Sequence, residues 1–247
     1  MDSSRRLYRH SMQRPGFRAF TCQVKETDLY VAVDEASYGP QLEKFVERRV
    51  LYYRTSLEQL IAREPEFQTT LQPYLVAAEE PPLILAMTRA GNQVGVGPMA
   101  AVAGAIAEYV GHDLLPRVKQ VIVENGGDIY FHVTEEVTVG IYAGTSPLSN
   151  RFAVAIRPQG QDFGVCTSSG TVGPSLSLGR ADAAMIISPS TILADAVATA
   201  AGNRVQSAAD LEQALSWACQ IPGVSGVLLI KDDQLAVWGQ VKIVGNN

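Results

Sequence analysis

The run Pro98-Met99-Ala100-Ala101-Val102-Ala103-Gly104-Ala105-Ile106-Ala107-Glu108-Tyr109-Val110 constrains the fold more than any other stretch of this chain. Pro98 suits the first turn of a helix, where its missing N–H costs nothing. Small side chains occupy every side of that helix, so it must lie buried against other backbone. Gly111 predicts its end. The unbroken small-apolar stretch 99–107 has nine residues, against the roughly 20 needed to cross a bilayer. The helix is therefore predicted to belong to a globular core. With 47% apolar and 18% charged residues, the chain can bury such a core, and a disordered chain is excluded.

Other elements follow from periodicity. Residues 29–33 read as a strand, and Gly39-Pro40 breaks the chain. Leu42, Phe45, Val46, Val50, Tyr53, Leu57, Leu60 and Ile61 then recur at helical spacing up to Pro65. Residues 83–86 start a further strand, and 91–97 form a glycine-rich turn. Strands are predicted over 121–123, 129–131, 137–142, 152–156 and 183–187. Helices open at Ser188-Pro189 and at Ser207, where Asp210 makes a loose capping box. Residues 227–230 and 236–244 form a closing hairpin. Strands and helices alternate irregularly. This predicts one α+β domain over 21–247, with helices packed on a mixed sheet that holds 121–123, 137–142 and 152–156 together.

Charge and cysteine narrow the class. Residues 1–20 carry five arginines and one acid, in a chain of net charge −5. This segment reads as a basic arm, frayed or gripping phosphate, and the acidic body argues against a nucleic-acid partner. Cys22, Cys166 and Cys219 are odd in number and widely spaced. They make neither a disulfide framework nor a metal pattern, so a reducing cytoplasm is expected, with no membrane partner. His10, His112 and His132 lie outside the glycine-rich turns and read as surface or packing residues, which disfavours a histidine-based zinc site or a serine–histidine triad.

Four segments are candidates for chemistry. Gly95-Val96-Gly97-Pro98-Met99-Ala100 fits a GxGxxA pattern, with 121–124 downstream. A nicotinamide fold needs the strand to end at the first glycine, and here residues 88–94 intervene. What survives is a set of N–H donors before a helix, suited to phosphate through Gly95 and Gly97. Glu124-Asn125-Gly126-Gly127-Asp128 is either a close-approach ligand turn or a plain turn with solvated acids. Cys166-Thr167-Ser168-Ser169-Gly170-Thr171-Val172-Gly173 is a hydroxyl-rich loop for phosphate or ribose, or an ordinary polar turn. Its cysteine reads as an inert buried thiol. Asp195, Thr199 and Asn203 are four apart, on one face of a helix of small apolar residues. A hard cation such as Mg2+ takes a carboxylate and a hydroxyl readily; the alternative is a buried aspartate capping neighbouring backbone.

Together these segments resemble the ApbE superfamily, which contains the FAD:protein FMN transferases. Asn125-Gly126-Gly127-Asp128, Thr167-Ser168-Ser169-Gly170 and Ala194-Asp195-Ala196-Val197-Ala198-Thr199-Ala200 look like its Asn-x-Gly-Gly-Asp, Thr-Ser-Gly and Ala-Asp-Ala-x-x-Thr-Ala motifs. Thr27-Asp28-Leu29-Tyr30 and 96–104 are similar to signatures of an uncharacterised ApbE-like family. The resemblance implies a T-fold-related fold. It implies FAD in a cleft between the glycine-rich turns, with Asn125, Gly126, Gly127, Asp128, Thr167, Ser168, Ser169 and Gly170 among its contacts. It also implies Mg2+ between Asp195, Thr199 and the pyrophosphate, with a backbone carbonyl near Ala100. The transferases move FMN onto a protein hydroxyl, so a protein target or a second copy of the chain enters as a partner beside the flavin or adenine nucleotide. Two departures stand out. The transferases carry a Lys-Gly pair where Gly97-Pro98 stands here, and a histidine segment where 173–182 has no histidine. The implied function is therefore flavin or nucleotide binding through the pyrophosphate, with transfer or pyrophosphate cleavage as the activity; a non-catalytic carrier or sensor is the alternative.

Overall fold

The computed structural model describes residues 14–158, 161–170 and 178–245. Five arginine-arm positions and their neighbours divide accordingly: 1–13 lie outside the described residues, whereas 17–20 open the first strand, β1 (Phe17–Val24). That strand pairs along its full length with β2 (Thr27–Asp34). Then come α1 (Pro40–Arg63), the short α2 (Glu66–Thr69), α3 (Pro82–Val94) and, after a 3-10 turn over Pro98–Ala101, α4 (Val102–Leu114). The strands β3 (Val121–Asn125), β4 (Asp128–His132), β5 (Val137–Gly140), β6 (Phe152–Ile156), β7 (Phe163–Ser168) and β8 (Ala183–Ser188) follow. The chain closes with α5 (Thr191–Asn203), α6 (Leu211–Ala218), β9 (Gly226–Lys231), β10 (Gln234–Gly239) and β11 (Lys242–Gly245).

The α+β class and the packed helices stand, but the sheets differ from expectation in two ways. Every strand pairing among the described residues is antiparallel, where the alternation of elements predicts a mixed sheet. One crossover helix makes neighbours parallel. Here two helices, α5 and α6, lie between β8 and β9, and two passes return the chain in the opposite sense. The second correction concerns β5 and β6. They do not join β3; with β11 they form a separate three-stranded sheet, β11-β6-β5, beside the large one, β1-β2-β3-β4-β7-β8-β9-β10.

Burial explains the split. Leu29, Val31 and Val33 of β2 face the helices, while Tyr30 and Ala32 face the small sheet. The large sheet is thus apolar on both faces and needs a cover on each. Val137 of β5 and Val154 and Ile156 of β6 supply the second cover, over the stacked rings of Phe131 and Phe163. The result is a helix–sheet–sheet stack.

Two local readings change as well. Residues 83–86 and 91–94 belong to α3, not to a strand and a turn: Leu83, Ile84, Met87, Ala90, Gly91 and Val94 are all buried at helical spacing. Helix α4 is buried as predicted, but it runs through Gly111 to Leu114. Gly111 is there for contact, since a Cβ would lie 2.2 Å from the Tyr130 ring. Among the described residues no single helix is long and apolar enough to cross a membrane.

Candidate functional site

Asn125 and Asp128 close a two-residue hairpin turn between β3 and β4. Both turn residues have positive φ, +70° at Gly126 and +112° at Gly127, which explains the Gly-Gly pair. The acids of this turn are not solvated: Glu124 is fully buried and accepts from the Gly127 N–H at 3.0 Å, and Asp128 is half-buried. Strand β7 runs beside β4 with Ile129 opposite Val165. Continuing that register sets Asp128 level with Cys166, and Gly127 level with Thr167. The 126–127 turn and the C-terminal end of β7 therefore lie side by side at one end of the large sheet.

Helix α5 lies over β7 and β8 and brings Asp195 to the same place. Asp195 Oδ2 accepts from the Gly104 N–H at 2.8 Å, and Asn125 Nδ2 donates to the Ala103 carbonyl at 3.1 Å. Two motif residues thus grip consecutive residues in the first turn of α4. Gly104 permits it: a Cβ there would lie 2.6 Å from the Thr191 carbonyl oxygen and 2.8 Å from Asp195 Cβ. With Oδ2 Asp195 does cap a neighbouring backbone, the plain alternative offered by its sequence context.

The electrostatics of this cluster are unusual. Burial is the first cause that pushes Asp128 up, to about 7; the nearby Glu124 charge adds to it, while the Cys166 thiol and Thr167 N–H pull the other way. Burial and the Asp128 charge hold Asp195 well above the usual carboxylate range, against the Gly104 and Ala103 amides. Cys166, buried and donating to the Thr191 carbonyl at 3.3 Å, is raised by burial and by both aspartates. It is the inert thiol its sequence context predicts. Among the described residues, no lysine or arginine acts on Asp128 or Asp195.

The remaining candidates are spread around this centre. Thr167 and Ser168 lie in β7 rather than in a loop, opposite Met185 and Ala184. Ser169 is half-buried, and the Gly170 N–H donates to the Ala181 carbonyl at 2.9 Å. Thr171, Val172 and Gly173 lie outside the described residues. Thr199 is half-buried one turn beyond Asp195. Asn203, the third member of that face, spends its Oδ1 on the Leu178 N–H at 2.9 Å. Gly95 ends α3 in the left-handed region with φ +79°, so the GxGxxA run follows a helix, not the strand a dinucleotide fold requires. Gly97 packs on backbone, its would-be Cβ 2.0 Å from the Thr70 carbonyl oxygen.

Two features escaped the sequence reading. Glu108, on α4, accepts from the Ile192 N–H at 3.0 Å and the Ser190 hydroxyl at 3.2 Å; its signal was being the one acid in 99–110. His132 Nδ1 and His112 Nε2 meet the two oxygens of Asp162 at 2.6 and 3.1 Å, at the far end of β4 and α4. Residues 30 and 50 positions distant in sequence leave no local trace of such a cluster.

Comparison with known proteins gives these residues a family. A family profile described as "AbpE bacteria" matches residues 9–237. This chain belongs to the ApbE-like superfamily. The UPF0280 protein of Methanocella arvoryzae is 44% identical over 224 residues, covering 90% of this chain and 89% of that one. That of Methanothrix thermoacetophila is 47% identical over 190 residues, covering 76% and 79%. Among solved structures, a mutant of the flavin transferase ApbE from Vibrio cholerae aligns with TM-score 0.56 at 11% identity, covering 91% of this chain and 97% of the other. The apo flavinyl transferase ApbE of Pseudomonas stutzeri aligns with TM-score 0.53 at 14% identity, covering 91% and 94%. At such identities these two matches show the ApbE-like fold.

Proposed function

We propose that this ApbE-like protein binds a flavin or adenine nucleotide through its pyrophosphate together with Mg2+. One observation carries the reading. Asp128 and Asp195 come from different elements and both act on the buried Cys166, and the Asp128 charge raises the proton affinity of Asp195, with no cationic side chain among the described residues acting on either. A divalent cation is the partner that lets both ionise. The donor set fits a hard ion: the Asp195 carboxylate, the Thr199 hydroxyl one turn on and the Asp128 carboxylate are all oxygen. A carboxylate has about four lone-pair sites, so the Gly104 bond orients Asp195 without exhausting it. When bound, Mg2+ would neutralise charge on the pyrophosphate. Gly126 and Gly127 present open backbone with little bulk at this turn, where phosphate oxygens can approach. The structural neighbours are flavin transferases, which supports a flavin as the nucleotide.

A carrier or sensor without turnover is the second reading. It is favoured by the sequence between 173 and 182, which has no histidine, and by Gly97-Pro98, which has no lysine beside it.

Thermal shift with FAD, FMN, ADP and NADH, each with and without Mg2+, tests the proposal. Flavin or adenine nucleotide at 100 times its dissociation constant should add about 2.7 kcal/mol, and only with Mg2+ present. Asp195→Asn should keep the fold and abolish the Mg2+-dependent part. An undiminished Mg2+ effect in that variant would rule out Asp195 as a ligand.

A further inference from the structure

Helices α4 and α5 cross at Gly104, and each supplies the acid that caps the other. Asp195 of α5 takes the Gly104 N–H in the first turn of α4. Glu108 of α4, one turn beyond Gly104, takes the Ile192 N–H and the Ser190 hydroxyl at the start of α5 with a single oxygen, Oε2. The Ser190 hydroxyl in turn accepts from the Leu193 N–H at 3.3 Å, completing the N-cap. Carboxylates suit both places, because helix N-termini carry unpaired N–H groups and positive potential.

We infer that Glu108 is the positioning residue for Asp195, fixing through this reciprocal clasp where the proposed metal-binding carboxylate stands. The inference rests on the reading of Asp195 given above. The physical reason is the rigidity of a helix. Asp195 lies one turn from Thr191, so sliding the start of α5 by a single residue would swing it about 100° and shift it about 1.5 Å along the axis. Ser190 and Ile192, held on Glu108, set that start. The clasp also occupies the openings of both helices with protein carboxylates.

The test is a Mg2+ titration in the presence of FAD, followed by thermal shift, on wild type, Glu108→Gln and Glu108→Leu. Glutamine keeps an acceptor oxygen that can take both bonds, so Glu108→Gln should stay near wild type. Glu108→Leu should raise the Mg2+ dissociation constant about 10- to 100-fold, as loss of an outer-shell partner does. Amide hydrogen exchange supplies a readout independent of metal: Glu108→Leu should speed exchange at Gly104, which it does not touch, as well as at Ile192. Ser190→Ala, which deletes one of the two bonds to Glu108 together with the Leu193 cap, gives the same pattern with a smaller rise and replaces Glu108→Leu if that variant does not fold. Wild-type Mg2+ affinity in Glu108→Leu, or equal losses in the leucine and glutamine variants, overturns the inference. A wild-type protein that ignores Mg2+ overturns the reading of Asp195 instead, and the clasp then stands or falls on Gly104 exchange alone.

Discussion

Two glycine-bearing regions offered themselves as ligand turns, and they use glycine for opposite reasons. In the 124–128 turn, Gly126 and Gly127 have positive φ, and a Cβ on either would meet nothing within 4 Å. The backbone conformation demands glycine while the space above it is open. Gly97 and Gly104, at the approach to α4, have the reverse: a Cβ would lie 2.0 Å from the Thr70 carbonyl oxygen and 2.6 Å from that of Thr191. There the glycines are filled space. Open backbone at a turn, as at Gly126, Gly127 and also Gly95, is available to a ligand, whereas the close-packed backbone at Gly97 and Gly104 is already in contact with the protein.

Substitutions can break this contrast. The largest effect is expected at Gly104→Val, which forces α4 and α5 apart and should cost about 3 kcal/mol or more in urea denaturation. A loss below that of Gly126→Ala would show that the crossing is not tight. Next comes the charge beside the open turn. Asp128 is raised in the fold, to about 7, so its contribution is fully present below the unfolded value near 4 and is lost as pH rises through 7. Wild type should therefore lose stability relative to Asp128→Asn between pH 4 and 8, by roughly 2 kcal/mol once partial exposure is discounted. A pH-independent difference in urea midpoints would remove Asp128 from the cluster. Gly126→Ala should cost about 1 kcal/mol, through left-handed strain alone, and should leave the crystal structure of the helix pair unchanged. Smallest is Asn125→Ala, which deletes the bond to the Ala103 carbonyl that ties the two regions together. A loss of about 1 kcal/mol or less is expected by thermal denaturation, with faster amide exchange in the first turn of α4.

The α+β class, the long α1 and the burial of α4 are legible in the sequence, because helical spacing, small-residue runs and capping residues act over a few positions; the segments around Asp195 are marked by their resemblance to ApbE motifs. Leu83, Met87, Ala90 and Val94 carry the spacing of helix α3, but Gly91 and Gly95 mimic a turn in sequence: Gly91 lies inside the helix, packed on the Val96 carbonyl, and only Gly95 turns the chain. What the tertiary structure alone decided was pairing. Whether β5 and β6 join β3 or cover it depends on which apolar face lacks a partner, and whether Gly126 or Gly97 faces open space depends on what packs against it. The same holds for Glu108. An acid in a helix announces itself in sequence, but the Ile192 N–H and Ser190 hydroxyl that it holds are 84 and 82 residues away, and only folding brings donors so distant to one oxygen.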